Sequence, residues 1–176
     1  LLQLFIGKGH VYNGVRTDLK GKRADFQAQT GYLVQNTQLL DMNYIVNHIG
    51  KKTTSNVTAD GTLKDAAHKV FRGSIDFKRG ASGAKGTESE QVLLRGDDVI
   101  NQTIPLILCT EEDVKGSHGA SIGELEQGML FYFEARGISR EEAEKIVAKA
   151  RLERLCQDTE DAKTAEYMHQ IIEEVI

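Results

Sequence analysis

Before residue 120 the chain repeats one local theme: a brief run alternating apolar and polar residues, then a break, then another run. The runs are Gln3–Ile6, His10–Val15, Asp25–Ala28, Tyr32–Val34, Asn43–Val46, Lys69–Phe71, Ser74–Phe77, Gln91–Leu94 and Thr103–Leu108. Many carry Val, Ile, Thr, Tyr or Phe, which suit a pleated, half-buried surface. Breaks such as Gly7-Lys8-Gly9, Asp60-Gly61 and the Gly80–Gly86 stretch read as turns, the last as a mobile one. No segment here has helical periodicity, so a parallel sheet with helical crossovers is excluded. A sandwich, a barrel or a β-solenoid fits the pattern, and the brevity of the strands favours the solenoid. No strict sequence period is visible.

The pattern changes near residue 120, dividing the chain into a β part (1–120) and a helical part (121–176). Ser121-Ile122-Gly123-Glu124 has capping-box spacing. Leu125, Met129, Tyr132 and Phe133 then fall on one helical face, with Gly137 as a left-handed stop. Ser139-Arg140-Glu141-Glu142 is a second capping box, predicting a helix to about Leu155 with a stripe of Ala143, Ile146, Val147 and Ala150. A third helix is predicted over Glu160–Val175, with Ala165, Met168, Ile172 and Val175 inward. Three such helices cannot enclose a core alone and must dock on the β part or on a partner.

Net charge is −4, against nucleic acid as a main partner, because phosphate neutralisation needs clustered basic residues. No apolar run approaches the roughly 20 residues of a membrane helix. The opening Leu1–Ile6 lacks the basic lead of a secretory signal and an initiator Met, so residue 1 is expected to lie inside a longer chain. Cys109 and Cys156 are expected to be separate packing thiols, Cys109 buried, in a reducing intracellular setting.

There is no P-loop, no Cys-x-x-Cys and no His-Glu-x-x-His. His48 and His68 flank strands and read as structural. His118, between Ser117 and Gly119 at the junction of the two parts, is the best candidate for chemistry. A neutral imidazole can ligate iron, but the remaining ligands would come from elsewhere or from another chain. A β-helix carbohydrate-active or carbohydrate-binding protein is the alternative, disfavoured by 6% aromatics and no Trp. A homodimer paired through exposed solenoid edges is a third reading.

Several runs together resemble the SufB/SufD family of iron–sulfur cluster assembly proteins, SufD more than SufB. They are Val70-Phe-Arg-Gly-Ser-Ile75, Gln91-Val-Leu-Leu94, Pro105, Asp113-Val-Lys-Gly-Ser-His-Gly-Ala-Ser-Ile-Gly123, Leu130-Phe-Tyr132 and Ala135-Arg-Gly-Ile138. The resemblance implies a single-stranded, right-handed parallel β-helix followed by a C-terminal helical subdomain. It implies a cytoplasmic, non-catalytic scaffold that pairs with a SufB/SufD-type subunit, as hetero- or homodimer, through the β-helix. A SufC-type ATPase would bind the helices, with Phe131, Tyr132, Arg136 and Gly137 as contact candidates; the bland role for both aromatics is core packing. No tightly bound cofactor is implied, only a transient iron–sulfur cluster at the subunit interface, where His118 matches a SufD histidine. Two departures bear on this role. Gly116 stands where SufD members commonly carry Cys, which weakens cluster holding by this chain, and Glu90 stands where SufB members carry the cysteine important for assembly.

Overall fold

The computed structural model describes residues 1–176. Nine strands come first: β1 (Leu2–Phe5), β2 (Val11–Leu19), β3 (Asp25–Val34), β4 (Leu39–His48), β5 (Thr54–Lys64), β6 (His68–Phe77), β7 (Ala84–Arg95), β8 (Ile100–Cys109) and β9 (Val114–Gly123). Three helices follow: α1 (Gln127–Glu134), α2 (Arg140–Gln157) and α3 (Ala162–Val175). Odd strands stack in the order β1-β3-β5-β7-β9 and even strands as β2-β4-β6-β8, all parallel. This is a parallel-strand β-solenoid of about four turns.

Each strand pairs with the strand two ahead, so a rung is about 30 residues: Val11 lies beside Leu40, Asp25 beside Thr54, Ala84 beside Val114. Its repeat is written in the backbone more than in the residues. Positive φ recurs at Arg23, Lys52 and Gly83 on one corner and at Asn36, Asp65 and Gly96 on another. The strand registers place the members of each set above one another. The corners are sewn by rung-to-rung bonds, such as Arg23 N–H to Lys51 O and Lys52 N–H to Ser82 O. Left-handed backbone disfavours most side chains, and Asn and Asp tolerate it best after Gly.

Strands β2 to β4 and β6 to β8 are longer than the sequence runs, with the paired runs in β3 and in β6 each fused into one strand, and β9 lies where no run was predicted. Strand β5 has no counterpart among the predicted runs, and Asp60-Gly61 is not a turn but lies within it. The Tyr32 ring occupies the space where a Gly61 side chain would sit, so this glycine serves a close ring–backbone approach. Inward residues fill the lumen: Tyr32, Leu40, Met42, Tyr44, Leu63 and Phe71 are among its fully buried members.

The helices dock outside the odd-strand sheet. Leu152 and Ile172 pack on Leu33, and Leu125, Leu130, Ala143 and Ala148 pack on Leu93. The predicted capping box at Ser121 does not form. Ser121 is paired with Gln91 in β9, and α1 starts at Gln127 with no side-chain cap. Extended, sheet-paired backbone at Ser121 leaves no helix N-terminus there for a side chain to cap. The Ser139 box does form, with Glu142 N–H donating to the Ser139 hydroxyl and Ser139 N–H donating to the Glu142 carboxylate. Asp161 caps α3 through Thr164 N–H.

The buried faces of the helices are rotated from the predicted stripes. On α1 the face is Leu130 with half-buried Phe133, while Met129 and Tyr132 are exposed. On α2 it is Ala143, Ala148, Leu152 and Leu155, with Ile146 exposed. The reason is that α2 touches the sheet and both other helices, so its docking side is set by Leu152 and Leu155 closing over Gly31. On α3, Met168 and Ile172 are buried as predicted and Ala165 and Val175 are half-buried. Cys109 is exposed, not buried, because β8 is the last even strand and nothing stacks on it. Cys156 is half-buried against the Leu33 cluster, and the two thiols are free.

Candidate functional site at the open end of the solenoid

Strands β8 and β9 form the last rung. Register shows which of their side chains face the lumen. Those of β8 stack on buried Lys69, Phe71, Ile75 and Phe77, giving Asn101, Thr103, Ile107 and Cys109. Those of β9 stack on buried Ala84, Gly86, Glu88, Glu90 and Val92, giving Val114, Gly116, His118, Ala120 and Ile122. His118, expected at the junction of the two parts, therefore lies mid-strand in β9 and is directed inward at an uncovered end.

The lumen of the lower rungs is apolar apart from neutral polar groups such as Thr30, His48 and Ser55, but the rung beneath His118 carries charged side chains. Lys69, Glu88 and Glu90 are buried there. Glu90 takes the whole of the available positive charge: it is ion-paired with Lys69, and both side chains are fully inaccessible. Thr103 of the last rung donates to Glu90 Oε2 at 2.5 Å, and the Tyr32 hydroxyl reaches Oε1 at 3.4 Å. The Lys69 ammonium also lies 5.6 Å from the centre of the Phe71 ring. Burial pushes the Lys69 ammonium below its usual range, opposed by Glu90.

Glu88 has no such partner. Burial first, and the neighbouring Glu90 charge second, raise its carboxyl to about 7. Its Oε1 is buried without a hydrogen bond, and so is His118 Nδ1; the two atoms are 3.5 Å apart. The His118 side chain keeps 23% of its surface accessible, against 2% for Glu88. So two carboxylates side by side on β7 each meet one residue of the last rung, Glu90 through Thr103 and Glu88 through His118.

His48 is structural, as the sequence indicated. It is fully buried, its two ring nitrogens meet Thr53 Oγ1 at 2.8 Å and Ser55 Oγ at 2.9 Å, and burial lowers its pKa to about 4. His68 opens β6, with Nε2 3.3 Å from Gln102 Oε1.

The four helical candidates lie together at the end of α1, outside the odd-strand sheet rather than in the lumen. Phe131 is 73% exposed and Tyr132 52%, so neither is core. The Arg136 guanidinium stacks 3.5 Å from the Tyr132 ring centre and donates to Tyr132 O. Gly137 has φ +77, with its N–H bonded to Glu134 O and Ile138 N–H to Phe133 O, a Schellman stop. Gly137 thus shapes the helix end, and Phe131 and Tyr132 lie exposed beside it.

Sequence reading missed Glu88 and Lys69, and took the exposed Cys109 for a buried thiol. The alternation Glu88-Ser89-Glu90 was the available signal, since residues i and i+2 share one face of a strand. No helix is long and apolar enough to cross a membrane.

Comparison with known proteins adds an independent line. Residues 1–151 match the family model described as SUF system FeS cluster assembly, SufBD core domain. The iron-sulfur cluster assembly protein SufD of Bacillus subtilis is 30% identical over 131 residues, covering 74% of this chain and 30% of that protein. A chloroplastic SufBD family protein of Arabidopsis thaliana is 32% identical over 111 residues, 63% of this chain and 20% of its own length. The chain spans less than a third of the length of these relatives.

Proposed function

This chain belongs to the SufBD core-domain family of iron–sulfur cluster assembly proteins, and we propose that it is a scaffold subunit rather than a catalyst. In this reading the last rung pairs with a SufB/SufD-type subunit, and a nascent cluster is handled, as substrate, where the two meet. His118 is the ligand this chain offers, held jointly with groups of the second subunit. ATP hydrolysis belongs to a SufC-type ATPase docked on the helices, and the complex works in the cytoplasm.

The observation that carries the reading is the uncovered last rung. Ile104, Leu106 and Leu108 are exposed on one face of β8, Ile107 on the other, and Ile122 in β9. The outer edges of β8 and β9 carry unpaired backbone groups. An apolar strand edge of this length is a template for pairing with another chain. The half-buried His118 at that edge would be enclosed by the partner, as a shared metal-cluster contact requires.

Phe131 and Tyr132 supply the second surface, since exposed aromatics on a short helix are common interface anchors. Strand β9 runs from His118 toward Gly123, and α1 begins at Gln127, so movement of the helices has a short covalent path to the site.

The test is reconstituted cluster assembly with a SufB-type subunit and a SufC-type ATPase. His118→Ala is expected to lower cluster yield without separating the subunits. Unchanged yield removes His118 from the mechanism. A charge placed at Leu106 is expected to separate the subunits, and an intact complex would refute pairing through this edge.

A further inference from the structure

The unassigned group nearest His118 is Glu88, and its placement is built rather than incidental. Its carboxylate lies against the backbone of Gly73: a Cβ on that residue would fall onto both carboxylate oxygens of Glu88. Gly73 therefore opens the seat that Glu88 fills. The only lysine in the lumen is committed to Glu90, so Glu88 gains no cation from that side. What remains within reach of Oε1 is His118 Nδ1, which also lacks any other partner.

Resting on the reading above that His118 faces the partner subunit, we propose that Glu88 is the positioning residue for the His118 ring. It holds the proton on Nδ1 and leaves the lone pair of Nε2 at the open end of the lumen. The 3.5 Å separation is a few tenths of an ångström beyond a good N–H···O bond. Such pairs tighten when a ligand or partner closes the site. A ring nitrogen donating to a carboxylate fixes the tautomer and makes the other nitrogen a stronger ligand. Without Glu88, nothing else in this chain fixes which nitrogen carries the proton. Burial agrees with this geometry: Nδ1 is buried while the ring as a whole stays partly accessible, so the exposed part is the side away from Glu88.

The experiment is nitrogen NMR of the chain labelled at its histidines, on the alkaline side of the imidazole titration, with His118→Ala assigning the signal. The Nδ1–H form is expected for His118 in the parent chain. The Nε2–H form, which free imidazole side chains favour, is expected in Glu88→Ala. Gly73→Ala keeps the carboxylate but displaces it, and the same switch is expected. Unchanged His48 signals, from a ring in the same lumen, show that each variant remains folded. An Nε2–H form in the parent chain overturns the proposal with no variant required, as does an Nδ1–H form that survives Glu88→Ala. This readout is independent of cluster chemistry. If His118→Ala leaves assembly unchanged while the tautomer switches as stated, the scaffold role of His118 fails and the positioning role of Glu88 stands.

Discussion

Lys69 and Glu90 form an ion pair that is entirely inaccessible to solvent, one rung below the open end of the solenoid. Water cannot screen or replace either charge there, so each depends on the other. Removing one partner leaves an uncompensated buried charge, whereas removing both leaves only a packing change. Lys69→Met and Glu90→Gln are each expected to destabilise the chain by about 3 kcal/mol. Lys69→Met combined with Glu90→Leu is expected to cost clearly less than the sum of the single changes. Urea denaturation of the set, read as a double-mutant cycle, checks this; additive losses would show that the pair is not coupled.

Two buried groups make opposite demands on pH. His48 titrates at about 4 when folded and near 6.5 when unfolded, so its contribution is present above 6.5 and lost as pH falls toward 4. Glu88 titrates at about 7 when folded and near 4.5 when unfolded, so its contribution is present below 4.5 and lost as pH rises toward 7. Each effect reaches about 3 kcal/mol. Between these limits they oppose one another, and the stability of the parent chain is expected to be nearly flat. Glu88→Gln is expected to reveal a stability that rises with pH, and His48→Gln one that falls. Denaturation midpoints across mildly acid pH supply the measurement.

Phe131 is the most exposed aromatic of α1 and makes no core contact that folding needs. Phe131→Asp is expected to change stability by no more than about 0.5 kcal/mol. Binding of a SufC-type ATPase is expected to weaken about tenfold or more, as for an interface anchor. Calorimetric titration against the ATPase decides it, and unaltered affinity would assign the docking surface elsewhere.

The thiols differ in access. Cys109 is exposed on the last rung, while Cys156 is half-buried and its thiol is pushed up by burial and then by the Glu153 charge. In the native chain Cys109 is expected to react with a water-soluble disulfide reagent about tenfold faster or more than Cys156. Adding a SufB-type subunit is expected to protect Cys109 and leave Cys156 unaffected. Protection of neither thiol would place the pairing surface away from β8.

The elements legible in the sequence were those set by local chemistry. The Ser139 box, the Asp161-capped helix near its expected start and the Gly137 stop each depend on neighbours within one turn. The same local signal at Ser121 misled, because partnership with Gln91 in β7 cannot be seen from Ser121 to Glu124. The rung repeat was hidden because its invariant is a backbone conformation, carried by Arg23 and Lys52 on one corner and by Asn36 and Asp65 on another. Strand β5 was hidden because its inward residues, Ser55, Val57, Ala59 and Gly61, are small to make room for neighbours such as Tyr32. His118 was singled out from its own surroundings, the small residues Ser117 and Gly119. Glu88 was not, because its meaning comes from a register that brings together residues far apart in sequence.

A rung in this architecture is templated only by the rung beside it, so order spreads along the stack as in a one-dimensional chain. The strand bearing His118 has a neighbour on one side alone. Its amides are therefore expected to exchange with solvent faster than those of β5, which is flanked on both sides, through end fraying that needs no global unfolding. A docked subunit would act as the missing neighbour, and slowed exchange confined to β8 and β9 would be its signature.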